Sequence, residues 1–145
     1  EIAQCLVGSE MCIRDRYCVD RAARVLNNSE KSLKGANVLV LGVAYKQDID
    51  DYRESPALRV IECLEKRGAN VSYFDPWVPE YRYKGEIKRS VPELNEQVLA
   101  DADLVMVTCA HTNVDYDFVQ RSAKAIFDTK NAMKDVSERS NIEVL

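Results

Sequence analysis

Two cationic side chains follow an apolar segment near the start of the chain, in a position where they could bind phosphate. Residues 37–43 are almost continuously apolar, which is typical of a strand buried on both faces of a parallel sheet. Lys46 and Arg53 come directly after it, and an ammonium group and a guanidinium fork are what proteins use to recognise phosphate. Three aspartates lie between them: Asp48, Asp50 and Asp51. The alternative is therefore a solvated loop on which these carboxylates neutralise both cations.

Two further polar side chains follow apolar segments, and each has a structural alternative. Asp75 occupies the position of a ribose-binding acid in a dinucleotide fold, although an Asp-Pro pair also simply ends a strand. His111 is the single histidine; without an evident serine or cysteine partner it is not expected to be catalytic. The aspartates of the first loop lack the spacing of a calcium-binding EF-hand, so we expect no metal site.

The glycine-rich motifs that bind phosphates are not present after the first apolar segment. Gly42 stands alone, no GxGxxG follows Leu41, and the chain contains no GxxxxGK[ST] sequence. Because those glycines let the backbone approach a phosphate closely, the sequence does not predict a self-sufficient NAD or ATP domain.

Strands and helices are predicted to alternate along most of the chain. Ser55 before Pro56 predicts a helix start, and Gly68 after two basic residues predicts its end. Strands are predicted at residues 37–43, 70–74, 103–108, 125–127 and 141–145. Helices are predicted at 17–28, from 56 to about 66, at 91–99 (with Ser90 as cap) and at 115–123. Residues 77–88 are predicted to be an irregular connection. This order predicts an α/β fold, a doubly wound, mostly parallel sheet with helices on both faces. In such sheets ligands bind beyond the carboxyl ends of the strands.

Composition limits the classes of function. The chain has 145 residues, of which 46% are hydrophobic and 30% charged, as expected for one globular domain. A net charge of -4 argues against nucleic-acid binding. No apolar run is long enough to span a membrane, and no secretory signal is evident, so we expect a cytoplasmic protein.

Five cysteines without CxxC spacing argue against a disulfide framework or a zinc site; we expect Cys63 and Cys109 to be small buried hydrophobes.

Residues 1–16 do not fit the pattern of the rest. They show no clear helical or strand period, and they resemble the translation of a transposase adapter used in preparing sequencing libraries. The alternative is a genuine helical lead-in. We treat the segment as an adapter-derived or disordered lead-in and leave it out of the functional argument.

Several motifs together resemble one known family. They are KGANVLVLGVAYK at 34–46, DIDD at 48–51, RESP at 53–56, YFDPWVP at 73–79, ADLVMVT at 102–108 and FDTKNA at 127–132. This combination resembles the carboxyl-terminal domain of the UDP-glucose/GDP-mannose dehydrogenase family, over about residues 17–145. The DIDD and RESPAL variants are most similar to bacterial UDP-N-acetylglucosamine 6-dehydrogenases of surface-polysaccharide synthesis. Residues 17–33 would be the end of the helix that connects this domain to a central region, and 34–145 the nucleotide-sugar-binding domain.

The resemblance implies an oxidoreductase that converts the C6 alcohol of a UDP-sugar to a carboxylate in two NAD-dependent steps. Tyr45 and Lys46 would contact the UDP-sugar, and Arg53 would reach NAD across a domain interface. Lys130 stands where the family has a substrate-contacting arginine, and a lysine keeps the charge but not the bidentate fork. The family's enzymes usually dimerise through their central helical region, which implies a homodimer or higher homo-oligomer for the parent enzyme.

The chain lacks the family's other catalytic parts. It has neither the glycine-rich NAD motif nor the catalytic-cysteine motif, and the second oxidation needs an activated thiolate. We therefore interpret the chain as the UDP-sugar-binding, carboxyl-terminal piece of a longer dehydrogenase, inactive alone, with NAD held mainly by a missing amino-terminal domain. The alternatives are a non-catalytic module that binds a nucleotide or partner and, less well supported, a self-contained NAD-binding domain.

Overall fold

The computed structural model describes residues 13–145. Four helices lie in that range: α1 (Ile13–Asn28), α2 (Pro56–Lys66), α3 (Glu96–Asp101) and α4 (Tyr116–Ser122). The strands are β1 (Asn37–Leu41), β2 (Asn70–Phe74), β3 (Glu80–Tyr83), β4 (Glu86–Arg89), β5 (Leu104–Val107), β6 (Ile126–Asp128) and β7 (Ile142–Val144).

Five strands form one sheet in the order β2-β1-β5-β6-β7, and every neighbouring pair is parallel. Successive side chains of a strand point to opposite faces, so Val38 and Val40 belong to the core under α1 and α2. Leu39 and Leu41 belong to the core under α3 and α4. The predicted doubly wound α/β sheet is confirmed.

Local signals place the start and end of α2 as predicted. The Ser55 hydroxyl accepts a hydrogen bond from the amide of Ala57 and caps the helix, and Pro56 occupies its first turn. Gly68 adopts a φ of +97° after the last turn, a conformation open to glycine at little cost. This helix therefore brings the end of the Lys46 loop back onto the sheet.

Two segments between β2 and β5 differ from the prediction. Residues 77–88 are not irregular throughout, because β3 and β4 form an antiparallel hairpin that turns at Lys84 and Gly85, both with positive φ. The helix predicted at 91–99 begins instead at Glu96, with Asn95 as its cap. Ser90 is used elsewhere: its hydroxyl accepts the amide of Asp75 beside the outer edge of β2.

Helix α1 begins at Ile13, four residues before the predicted start at Tyr17. Asp15 in its first turn is buried and pairs with Arg59 of α2, with 2.7 Å between the carboxylate and Nε. These residues therefore pack against the domain. Residues 1–12, including Cys5 and Cys12, lie outside the described range, and the origin of residues 1–16 stays a prediction.

The three cysteines of residues 13–145 are free. Cys109 is buried, as expected, whereas Cys63 is only partly buried. Burial raises the pKa of the Cys63 thiol, so this side chain is protonated at neutral pH and has little nucleophilic character.

Candidate functional site

The loops after β1, β2, β5 and β6 meet at the carboxyl edge of the sheet, where the sequence predicts a ligand site. Gly42 makes the closest approach: with a φ of +89°, an added Cβ would lie 2.5 Å from the Cβ of Cys109. Only glycine fits there. This single glycine therefore lets the loop after β1 turn across the loop after β5, without forming a dinucleotide-binding turn.

Asp75 organises the loop after β1 from the end of β2. Its buried Oδ2 accepts the amides of Val43 at 2.8 Å and Ala44 at 3.2 Å, and its Oδ1 accepts the amides of Trp77 and Val78. Burial raises the pKa of this carboxyl, but hydrogen bonds from His111 and these amides lower it below its ordinary value. Since the carboxylate is buried and its bonds are internal, the structure favours the structural alternative over ribose binding.

His111 links three loops from a fully buried position. Its side chain is 1% exposed, and Nε2 lies 2.9 Å from Asp75 Oδ2. On the other side of the ring, the amide of Asp48 donates to Nδ1 at 2.8 Å. His111 is thus a structural connection rather than a ligand contact.

Two effects on the protonation of His111 oppose each other. Burial lowers the pKa of the ring and the hydrogen bond with Asp75 raises it more, to about 9. The amide of Asp48, however, can donate only to an unprotonated Nδ1. We assign the neutral ring with its hydrogen on Nε2, because a charged ring would set two N–H groups against each other at 2.8 Å.

Asp48 holds the far end of the Lys46 loop. Its carboxylate accepts the amide of Thr112 at 2.9 Å and the hydroxyl of Thr112 at 2.8 Å. These two bonds lower the pKa of Asp48. Asp48 also adopts a φ of +62°, which a residue other than glycine keeps only where its surroundings hold it.

Tyr45 and Lys46 lie at the top of the loop that these contacts hold. Both are exposed, with Tyr45 at 52%, and the amide of Tyr45 donates to the carbonyl of Asp51 at 2.7 Å. Within residues 13–145 Lys46 has no carboxylate within ion-pair distance. The alternative that the loop's aspartates neutralise both cations is therefore wrong for Lys46.

Arg53 does pair with an aspartate of its own loop. Its Nε lies 3.0 Å from Oδ1 of Asp51, and a second guanidinium nitrogen lies 3.2 Å from Oδ2. The guanidinium is highly exposed, and solvent screens an exposed surface pair of this kind so that it contributes little to stability. Arg53 is therefore neutralised here, but a ligand anion could replace Asp51 at small cost.

Lys130 lies on the loop after β6, which a single aspartate orders. The buried carboxylate of Asp128 accepts the amides of Lys130 at 3.0 Å, Ala132 at 3.1 Å and Met133 at 2.8 Å. Thr129 is fixed by a 2.7 Å hydrogen bond from its hydroxyl to the carbonyl of Val107. The exposed side chain of Lys130 thus extends from a well-ordered turn.

A cleft of about 90 Å³ lies beside Lys130, between the sheet edge and the first turns of two helices. Its lining includes Thr108, Thr129 and Cys18 as well as Arg14 of α1 and Pro56 of α2. Pockets that enclose small molecules usually measure about 300–1,000 Å³. The described residues therefore surround only part of a ligand as large as a nucleotide sugar.

A larger groove, about 600 Å³, lies at the opposite end of the sheet. Asn37 and Asn70, the first residues of β1 and β2, line it together with Glu65 and Asp101. No lysine or arginine lines it among the described residues. An acidic groove repels phosphate, so its size does not make it the better candidate for an anionic ligand.

Other classes of site have little support among residues 13–145. No group of three or more histidine, cysteine, aspartate or glutamate side chains in this range could hold a metal ion. Over the same range, no helix is both long enough and apolar enough to cross a membrane. Trp77 is 40% exposed near His111, whereas Tyr81 is buried against Tyr73 and Tyr52, so the aromatic residues after β2 mostly pack the hairpin.

Two residues order the loops of the site in a way that was not predicted from the sequence, Asp128 and His111. Asp128 was identified only as part of a family motif and of a loop after a strand, although an aspartate followed by a short polar turn is a recognisable capping signal. His111 was singled out as a polar residue after a strand and not expected to be catalytic, but its bonds to two other loops were not predicted. No local signal reveals its role, because its partners lie 36 and 63 positions away along the chain.

Comparisons with known proteins identify relatives of this chain. A UDP-glucose 6-dehydrogenase of Rickettsia bellii is 30% identical over 83% of this chain and 29% of its own length. A UDP-N-acetyl-D-mannosamine dehydrogenase of Methanocaldococcus jannaschii is 30% identical over 86% of this chain and 32% of its own. The chain thus spans about 30% of the length of these relatives.

Solved structures show the same fold. The UDP-N-acetyl-mannosamine dehydrogenase of Staphylococcus aureus superimposes with a TM-score of 0.61 at 31% identity, over 90% of this chain and 29% of that one. An NDP-N-acetyl-D-galactosaminuronic acid dehydrogenase of Methanosarcina mazei superimposes with a TM-score of 0.72 at 27% identity, over 90% and 28%. The family model for the UDP binding domain matches residues 39–135. The chain therefore belongs to the UDP-glucose/GDP-mannose dehydrogenase family, of which it contains the UDP-binding domain.

Proposed function

We propose that this chain supplies the UDP-sugar-binding part of an NAD-dependent UDP-sugar 6-dehydrogenase, with Lys46 as the principal diphosphate contact. One observation carries the proposal. Lys46 has no ion-pair partner among residues 13–145, although three aspartates follow it on the same loop. An exposed, unneutralised ammonium on an ordered loop is a ready phosphate ligand.

The neighbouring side chains support the same role. Tyr45 is exposed beside Lys46 and offers a ring face and a hydroxyl to a base or sugar. Lys130 adds a second cation at the same edge of the sheet, next to the 90 Å³ cleft. Together they would bind the two ends of a nucleoside diphosphate that spans the loops after β1 and β6.

Arg53 is proposed to contact NAD held by another part of the parent enzyme. Its guanidinium projects into solvent and pairs only with Asp51 of its own loop among the described residues. An incoming pyrophosphate would exchange one anionic partner for another. The reaction also requires a catalytic thiolate and an NAD site. The sequence of this chain does not contain the motifs that supply them.

The sugar is proposed to be N-acetylated. The DIDD and RESPAL sequences motivate this choice and favour UDP-N-acetylglucosamine, although relatives named for UDP-glucose and for UDP-N-acetyl-D-mannosamine both match. The alternative function is a non-catalytic nucleotide- or partner-binding module. Reduction of NAD by a longer protein that contains this domain would distinguish the two, since the module alternative predicts none.

Calorimetric titration of the 145-residue chain with UDP tests the proposal. Lys46→Ala should weaken binding by about tenfold or more, because a hydrogen bond to a charged group contributes roughly 1.5–3 kcal/mol. Lys124→Ala is the matched control, because Lys124 precedes β6 and so lies at the opposite, amino end of the strands, where it pairs with Asp103 at 3.9 Å. UDP-glucose, UDP-N-acetylglucosamine and UDP-N-acetylmannosamine then rank the sugars. Equal binding by the wild type and the Lys46→Ala variant would contradict the proposal.

A further inference from the structure

The Lys46 loop is held by two side chains that cannot themselves touch a ligand. The side chains of Asp75 and His111 are 0% and 1% exposed. Nevertheless their bonds fix both ends of this loop: Asp75 accepts the amides of Val43 and Ala44, and His111 accepts the amide of Asp48. Lys46 lies between these anchor points.

The direction of each hydrogen bond fixes the form of the ring. The amide of Asp48 has a hydrogen to donate, so Nδ1 of His111 must accept it. The hydrogen of a neutral ring then lies on Nε2, where it is donated to Oδ2 of Asp75. Because that oxygen also holds Val43 and Ala44, the ring joins one end of the Lys46 loop to the other.

A purely space-filling role does not explain these contacts. Trp77 packs near the ring, with 6.4 Å between ring centroids, but apolar packing would leave two buried nitrogens without partners at a high cost. Here both nitrogens bond to other loops. One of these bonds restrains Asp48, whose left-handed backbone needs such support.

We infer that His111 is a positioning residue for UDP-sugar binding, which acts as a neutral imidazole with its hydrogen on Nε2 and, with Asp75, holds the loop that presents Lys46 to the diphosphate. This inference rests on the proposed function. It assigns to His111 no contact with substrate; the ring acts through the backbone at Val43, Ala44 and Asp48.

The wild-type chain provides the first test, because it contains one histidine. Nitrogen-15 NMR of the ring at pH 7.5 should show a single neutral tautomer with the hydrogen on Nε2. The amide of Asp48 should exchange with water much more slowly than the amide of Asp50, for which the structure shows no hydrogen-bond partner among residues 13–145. A charged ring, a hydrogen on Nδ1, or equally rapid exchange of both amides would overturn the inference without any variant.

Two variants then separate positioning from stability. His111→Phe keeps a ring of similar size but neither hydrogen bond, and should weaken UDP binding about tenfold or more, because each of the two lost buried hydrogen bonds can account for up to about a tenfold change. His111→Gln retains one donor and one acceptor, and should restore binding to within about threefold of the wild type. Leu99→Ala, in the core under α3, is the control for destabilisation; it should lower the melting temperature and leave affinity unchanged.

The outcomes distinguish this inference from the function on which it rests. If Lys46→Ala weakens UDP binding and His111→Phe does not, the proposed function stands and the positioning role is wrong. If the wild type and the Lys46→Ala variant bind UDP equally, the proposed function itself fails. If His111→Phe does not fold, the wild-type tautomer and the exchange of the Asp48 amide decide.

Discussion

The two loops that carry Lys46 and Lys130 lie at the same edge of one sheet but are ordered in different ways. The Lys130 loop is held by Asp128 at the end of its own strand, through amides two to five residues further on. The Lys46 loop is held by Asp75 and His111, which lie 31 to 63 positions away from the amides they bind. One lysine is thus positioned locally and the other by tertiary contacts.

This difference separates the structural requirements of the two cations. The Lys130 turn depends on a short segment that can form as soon as β6 ends. The Lys46 loop requires β1, β2 and β5 to be paired first, because its anchors come from the ends of the other two strands. Disturbing the buried Asp75 and His111 should therefore affect the first lysine and leave the second in place.

The largest effect is expected from Asp75→Asn. The side chain would lose its charge and place an amide group against up to five N–H donors, which should lower the free energy of unfolding by about 3 kcal/mol. Urea unfolding of the 145-residue chain, with and without the substitution, measures this loss of stability. NMR should show disorder at Val43 to Asp48 and little change at Lys130; changes of equal size at both loops would contradict the distinction.

Asp128→Asn should cost less, about 2 kcal/mol, because three amides rather than five donors lose the carboxylate. Its effects should be confined to residues 129–133. Amide chemical shifts of Tyr45 and Lys46 serve as the internal control and should not move. If they moved as much as in Asp75→Asn, the two loops would have to be regarded as one unit.

A smaller loss of stability is expected in acid. Since the native state lowers the pKa of Asp75, the ionised carboxylate stabilises the fold above its unfolded pKa of about 3.9. That contribution disappears as the pH falls through the lower, native pKa. The free energy of unfolding should therefore fall more steeply between about pH 5 and 2 in the wild type than in Asp75→Asn; parallel curves would show that Asp75 is not responsible.

The smallest effect is expected from Lys130→Arg. Arginine restores a planar fork that binds phosphate through two parallel hydrogen bonds, so affinity for UDP should rise by about threefold, with unchanged stability. Calorimetry of this variant beside Lys130→Ala, which should bind more weakly, measures the contribution. An arginine variant that binds no better than the alanine variant would remove Lys130 from the site.

The contrast between the loops also explains which features the sequence could predict. Ser55, Pro56 and Gly68 act within a few residues of their own positions, so the limits of α2 followed from local chemistry. The β3-β4 hairpin was missed because Lys84 is an unusual residue at positive φ. The prediction of a helix after Ser90 was wrong because the Ser90 hydroxyl accepts the amide of Asp75 beside β2 instead of capping a helix. The two residues are 15 positions apart, so the local sequence around Ser90 does not reveal this contact.

The residues of the candidate site also divide into those that local sequence motifs predict and those whose roles depend on tertiary contacts. Lys46, Tyr45 and Lys130 were identified from motifs, and the structure places all three at the predicted edge of the sheet. The pairing of Arg53 with Asp51, and not with Asp48, depends on loop geometry. The role of His111 depends on three loops meeting after the sheet has formed, so the sequence could indicate that it follows a strand but not what it holds.

Chemical-shift mapping of UDP on the wild-type chain tests most directly whether the carboxyl edge of the sheet is the nucleotide site. We predict that the largest amide shifts occur at Tyr45, Lys46 and Lys130, and that NAD alone produces little change there. The acid-lined groove at Asn37 and Asn70 should be unaffected. Shifts centred on that groove, or none at the three predicted residues at saturating UDP, would contradict the assignment of the site.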